Sequence, residues 1–495
     1  MGAGLCIRTA ANNNAGFVQP KPWPRSAIIR YFALKSSFFM SLGASGLKKS
    51  ALVAGVLAFA SISLISCGSG GSAKTTKVPP SGLNTRALAS QSVSAGTTFA
   101  GLAIIDAFND TLAHVAEIGA GSLNAPGLMA ISATRQTLIA FDSGNNSVQI
   151  VNTSKESVSG SITLPGSTSS MVIPTQSTSV AFAAVPAASV ENILVTPGAV
   201  VLMNLAANST IASVGVPAAQ TVVSNAGGTQ LLAFSSDSDS IAVISPAIAV
   251  GPVDQGCDPG SSSTACFLVS NPGFSRPVYA IYSSDGSTAY VLNCGLQCGG
   301  TQPASLAVVN TSTFAITNSI PVAGATWAFQ NGSTLYVAGT PPGANTCAIP
   351  PTTAATTCGR LTIVDLNSLS VLNTAAIYIP DGYHDRMDMS ANGQLFIGSH
   401  TCTTIGDVNN PVGEVRGCLA IYNTAAGNVV IPPDNGDVTG LQSLTSRYIE
   451  YVAEGGNLRV YDSNLDILLL NADFVPTGTI PIVGVVVDVK ELDFY

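Results

Sequence analysis

The chain has 495 residues, of which 46% are hydrophobic, 6% aromatic and only 9% charged, with a formal net charge of −8. That length suits two or three ordinary domains or one long all-β fold. An acidic balance with few, scattered Lys and Arg excludes nucleic acid as the natural partner.

Residues 1–39 hold Asn12-Asn13-Asn14, Pro20, Pro22, Pro24 and five basic residues. They read as a start assigned too early or as an extended leader, and are set aside from fold reasoning. Met40 opens a more regular segment. Lys48 and Lys49 precede an uncharged apolar run from Ala51 to Ile65, closed by Leu64-Ile65-Ser66-Cys67. A basic segment, a short apolar run and a small-residue cleavage site make an export signal over residues 40–66. The run is shorter than the roughly 20 residues a membrane span needs. Residues 1–67 contain seven Lys/Arg and no Asp/Glu, leaving 12 basic against 27 acidic residues beyond them. Positive charge ahead of the apolar run is what holds a signal's start inside during export.

The four residues Leu64-Ile65-Ser66-Cys67 resemble the lipobox of bacterial lipoproteins. The resemblance implies cleavage before Cys67, lipidation of Cys67 and export of all that follows. Gly68, rather than Asp, follows the cysteine. By resemblance to enteric lipoproteins this implies the outer membrane of a Gram-negative bacterium, with the membrane as a partner through the lipid anchor.

Residues 67–97 are rich in Gly, Ser and Thr with Pro79-Pro80, and read as a flexible linker. From 98 to 495 the text is repetitive. In residues 274–323, Val278–Tyr282, Thr288–Asn293, Ser305–Asn310 and Ala315–Val322 read as four strands, with Ser283-Ser284-Asp285-Gly286-Ser287 as a turn. Thr334–Ala338 with Leu361–Asp365, Gln394–Gly398 with Leu419–Asn423, Thr137–Phe141 with Ser147–Asn152, and Tyr448–Val452 with Asn457–Asp462 repeat the second and third strands.

Asp285-Gly286, Tyr290-Val291, Ala307-Val308-Val309-Asn310-Thr311 and Ile320-Pro321-Val322-Ala323-Gly324 resemble the YVTN β-propeller repeat. The resemblance implies an all-β propeller of four-stranded antiparallel blades over residues 98–495. Seven complete units start near Ala125, Ser167, Gln220, Ser275, Ala325, Asp385 and Asp437. Residues 99–119, as two outer strands, and 482–495, as two inner strands, would join into a split blade that closes the ring and hides its edges. That gives eight blades, with seven as the alternative.

Eight cysteines follow Cys67 and fall into neighbouring pairs: Cys257/Cys266, Cys294/Cys298, Cys347/Cys358 and Cys402/Cys418. In an exported chain these read as local disulfides. Cys294-Gly-Leu-Gln-Cys298 could instead be half a zinc site, but no second close pair or nearby His completes one, and no metal or cofactor is expected. Three pairs fall in long second-to-third-strand loops of consecutive blades, on one face. Cys257/Cys266 falls in a third-to-fourth connection, on the other.

The densest charge is Asp381-Gly382-Tyr383-His384-Asp385-Arg386-Met387-Asp388, between two blades. With His400 and Trp327, the residues Tyr383, His384, Asp385 and Arg386 are candidates for a pocket on the long-loop side of the central channel. Acid/base chemistry at His384 and an inter-blade ion-pair cluster are the other readings. His114 reads as incidental. No Gly-x-Ser-x-Gly elbow, phosphate loop or His-Glu-x-x-His occurs. The sequence thus points to a lipid-anchored binding or scaffold module for a protein or cell-envelope polymer. A lactonase-like propeller hydrolase and a purely structural envelope protein are the alternatives.

Overall fold

The structure is a computed structural model that describes residues 78–92, 100–188, 197–249, 255–259, 265–343, 347–348, 354–355, 357–403, 405–406, 415–432, 436–444, 447–464 and 476–493. The leader, the export signal and Cys67 lie outside the described residues.

Eight antiparallel blades of four principal strands form an all-β propeller. We number them along the chain, blade 1 being the one shared by both ends. The first strands of blades 2 to 8 are Pro126–Ile131, Ser170–Val172, Ala219–Ser224, Pro277–Tyr282, Trp327–Asn331, Tyr383–Met389 and Val438–Leu444. Each touches the first strand of the next blade. Val485–Glu491 touches both Val438–Leu444 and Pro126–Ile131, which closes the ring.

Blade 1 corrects the sequence reading at two points. Its order outward is Val485–Glu491, Arg86–Ser92, Leu102–Asp106 and Thr111–Leu112. One strand comes from the C-terminus and three from the N-terminal side, not two from each. Residues 86–92, expected within a flexible linker, form the second strand. Their small polar and Ala-rich text resembles a linker, yet Ala87, Leu88 and Ala89 are fully buried. A second strand is covered by a neighbouring blade on each face, so even this modestly apolar text is buried.

The closure is pinned by charge. Arg86 donates to both carboxylate oxygens of Asp493 (2.9 and 2.7 Å), to Glu156 (2.7 Å) and to the Thr153 carbonyl (2.9 Å). Arg135 pairs with Glu491 at 2.6 Å and donates to the Asp493 carbonyl. These arginines tie the N-terminal strand, the C-terminal strand and blade 2 together.

Period-2 alternation explains the packing. In the second strand of blade 3, Ala181, Ala183 and Val185 join a cluster with blade 2, while Phe182 and Ala184 join one with blade 4. Eight such clusters fill the eight blade-to-blade interfaces. Core side chains divided among eight narrow interfaces account for the Ala- and Val-rich, aromatic-poor composition.

The repeat's terminal Asn or Asp has a local cause. Asp106, Asn152, Asn204, Asn310, Asp365, Asn423 and Asp462 each end a third strand and accept a backbone N–H two or three residues on, at 2.9–3.1 Å. Such a side chain mimics a backbone turn. Blade 4 departs: its third strand ends at Ile244, and the connection to Cys266–Ser270 carries Cys257. The Asp285-Gly286 turn works similarly. Ser283 and Ser287 donate to Asp285, holding its carboxyl down at about 2, and Gly286 takes φ +73°.

Candidate functional site

Because the strands alternate, second-to-third connections and blade-to-blade connections share one face. The channel opens on that face, and a backbone irregularity shapes its lining. In blades 1, 2, 4, 5, 7 and 8 the first strand slips register against the second. The unpaired residues include Val487, Leu128, Gln220, Val278, Asp385 and Thr439. A bulge re-aims a side chain. Leu128, Gln220, Val278 and Asp385 all line one cavity of about 150 Å3, together with Trp327, Tyr383 and Arg386. Above it a mouth of about 310 Å3 shares Gln220, Val278 and Tyr383 and reaches Cys298. Below it a chamber of about 410 Å3 shares Ser170, Met171 and Trp327 and reaches Tyr282.

Five of the six sequence candidates meet at this channel or its rim. Trp327 stacks on Tyr279 of blade 5, with ring centroids 4.0 Å apart and an angle of 24°. Burial pushes the Tyr279 hydroxyl up to about 12. Tyr383 is 36% exposed, and desolvation by the wall, with the Asp385 charge, raises its hydroxyl to about 12. Asp385 accepts from His400 Nε2 at 2.9 Å and from Arg386 Nη1 at 3.2 Å. Arg386 also donates from Nε to the Thr439 carbonyl of blade 8 (2.8 Å). The ion cluster lies within blade 7, reaches blade 8 through a hydrogen bond to a carbonyl rather than an ion pair, and borders the cavity.

His384 does not join them. It is 1% exposed, and its Nε2 lies 3.0 Å from the Pro380 carbonyl. A Cβ placed on Gly359 of blade 6 would meet its ring at 2.8 Å, so it packs between blades 6 and 7. Desolvation lowers its pKa from 6.5 to about 4. The expectation that His384 faces the channel is corrected: the neighbouring bulge sends Asp385 inward and leaves His384 in the interface. The acid/base reading centred on His384 loses its histidine.

The connections around the mouth are stapled as expected where described. Cys294–Cys298 and Cys402–Cys418 are bridged, with Cα separations of 5.6 and 5.4 Å. Cys358 is disulfide-bonded, and the Cys347 side chain lies outside the described residues. The zinc alternative for Cys294 and Cys298 is replaced by a disulfide around the one-turn helix Gly295–Cys298. Cys257–Cys266 is bridged on the opposite face, with a Cα separation of 4.5 Å. Among the described residues no cluster of His, Cys, Asp and Glu suits a metal ion.

The staples connect to one another. Gln297 accepts from the Thr340 amide (2.8 Å) and donates to the Gly382 carbonyl (3.3 Å), joining the blade 5 connection to blades 6 and 7. Asp381 accepts from the Thr403 amide and hydroxyl (2.6 and 2.8 Å) and from the Thr357 hydroxyl. The rim over blades 5 to 7 is thus pre-ordered.

No family model matches this chain, and neither does any curated protein sequence. Solved structures match in fold. A structure titled dihydro-heme d1 dehydrogenase NirN in complex with DHE is 12% identical, with a TM-score of 0.52 over 83% of this chain and 75% of that one. The Cps50 (Swd1) β-propeller domain of Myceliophteria thermophila is 12% identical, with a TM-score of 0.45 over 68% and 96%. The computationally designed Ika8 protein is 9% identical, with a TM-score of 0.45 over 78% and 98%. At these identities the likeness concerns the fold alone.

Proposed function

We propose that this chain is an exported, lipid-anchored propeller of the YVTN repeat type that binds a protein or cell-envelope polymer through its stapled face. The observation that carries the reading is an asymmetry. Disulfide-bearing connections of three consecutive blades crowd one side of the channel mouth, linked by Gln297 and Asp381. Ordering loops in advance lowers the entropy lost on binding. A ring scaffold with grafted loops suits recognition, whereas the fold by itself implies no chemistry.

Two experiments test it. Cys67→Ala should abolish lipidation by removing the thiol that carries the lipid, and leave precursor or soluble protein, because membrane anchoring rests on the acyl chains. Unchanged processing and membrane retention would refute the anchor. Among the described residues, the hydrolase alternative keeps the His400–Asp385 pair at the rim. A lactone and ester panel should show no turnover sensitive to His400→Ala. Turnover that collapses in that variant while the fold survives would establish the enzyme instead.

A further inference from the structure

We propose that the cavity at the ring of bulges binds an uncharged sugar unit of a glycan, with Trp327 as its stacking platform. The proposal rests on the reading of the stapled face as the ligand-binding face, and adds the chemical class of the ligand.

Three features of the lining carry it. The first is charge. Arg386 and Asp385 are the charged groups among the residues bordering the cavity, and they are paired at 3.2 Å, with His400 on the same carboxylate oxygen at 2.9 Å. Arg386 further donates to two backbone carbonyls. An anionic ligand would meet the Asp385 carboxylate beside the arginine, and a cation would meet the reverse. A neutral ligand avoids both costs.

The second is unspent hydrogen bonding. Gln220, Thr221, Tyr383 and Trp327 line the same cavity, and no hydrogen bond within the described protein engages the polar atoms of their side chains. They include donors and acceptors and carry no charge, the set that matches vicinal hydroxyls. The third is the platform. Tyr279 stacks against the Trp327 ring and holds it in place. The C–H face of a pyranose is weakly positive and complements the negative face of an indole. The cavity of about 150 Å3 is large enough for a ring-sized unit rather than a few waters. The mouth above and the chamber below, which share lining residues with it, let a chain continue in either direction.

Trp327 also supplies the readout. The sequence contains two tryptophans, Trp23 and Trp327. In the full chain carrying Trp23→Phe, indole fluorescence comes from the cavity alone. Maltohexaose, cellohexaose and chitohexaose serve as neutral probes, hexagalacturonate as the anionic probe and N-acetylphenylalanine amide as a flat, neutral, non-sugar probe. At least one neutral hexasaccharide should shift the emission saturably. By calorimetry Trp327→Ala should weaken its binding by about tenfold or more, Gln220→Ala by several-fold, and Trp327→Phe less than Trp327→Ala. The proposal is overturned if no neutral saccharide binds up to about 10 mM, a bound below even weak millimolar affinity. It is also overturned if hexagalacturonate or the phenylalanine amide binds as well as every sugar, or if Trp327→Ala binds sugar unchanged. Envelope binding that is lost with Leu296→Asp on the rim but retained with Trp327→Ala would preserve the broader reading while refuting this one.

Discussion

His384 and Asp385 are adjacent in sequence and opposite in circumstance. His384 keeps a neutral imidazole inside the interface of blades 6 and 7, its pKa lowered to about 4 by desolvation. The unfolded chain takes up that proton near 6.5, so the sign is fixed. The contribution of neutral His384 is whole above about 6.5, drains as pH falls toward about 4, and reaches at most about 3 kcal/mol. His384→Gln should therefore lose less stability than the parent between pH 7 and 4 in denaturant unfolding. An NMR titration placing His384 near 6.5 in the folded protein would contradict this. The sequence made the charge density of 381–388 plain, because the rest of the chain has so little. Which side chains point inward was not legible. That depends on one unpaired residue in the first strand, and a bulge leaves no period-2 signature. Gln220 and Val278 were missed as lining residues for the same reason. Aligning the blade starts and marking the residues just inside each first strand is the signal that would have found them.

At the scale of elements, strands and turns were legible where the repeat is strong. Asp285-Gly286 and the Asn or Asp that ends the third strand in every blade but the fourth are local chemistry, readable without tertiary context. Arg86–Ser92 was not, because its burial comes from two neighbouring blades rather than from its own hydrophobicity. Arg86 should be a sensitive position. Arg86→Leu strands Glu156 and Asp493, and breaking a buried pair costs about 3–5 kcal/mol. Chemical denaturation checks this, and a loss under about 1 kcal/mol would show that closure is held elsewhere. For the staples, non-reducing peptide mapping should recover Cys257–Cys266, Cys294–Cys298 and Cys402–Cys418, with Cys347–Cys358 as the fourth. A bridge between blades would overturn the local scheme. The double variant Cys402→Ser/Cys418→Ser, which opens a loop with a sequence separation of 16, should lose about 3 kcal/mol at most.

At the scale of the molecule, the ring has two unlike faces. One carries Leu296, Tyr383 and the linked staples. The other carries mostly short turns and the long blade 4 connection with the Cys257–Cys266 bridge, with Phe108 at 66% and Ile248 at 48% exposure among its apolar side chains. Eight blades could be counted in the sequence because seven first strands kept their spacing and both ends kept strand-like remnants. The division of the split blade could not, since pairing between residues about 400 apart leaves no local mark. The claim that binding belongs to the stapled face is tested most directly by measuring retention of the full chain on purified cell-envelope polymer in matched surface variants. Leu296→Asp and Tyr383→Ala should each weaken retention about tenfold, while Phe108→Ser and Ile248→Ser leave it unchanged. The reverse pattern, or equal loss from both faces, would contradict the account.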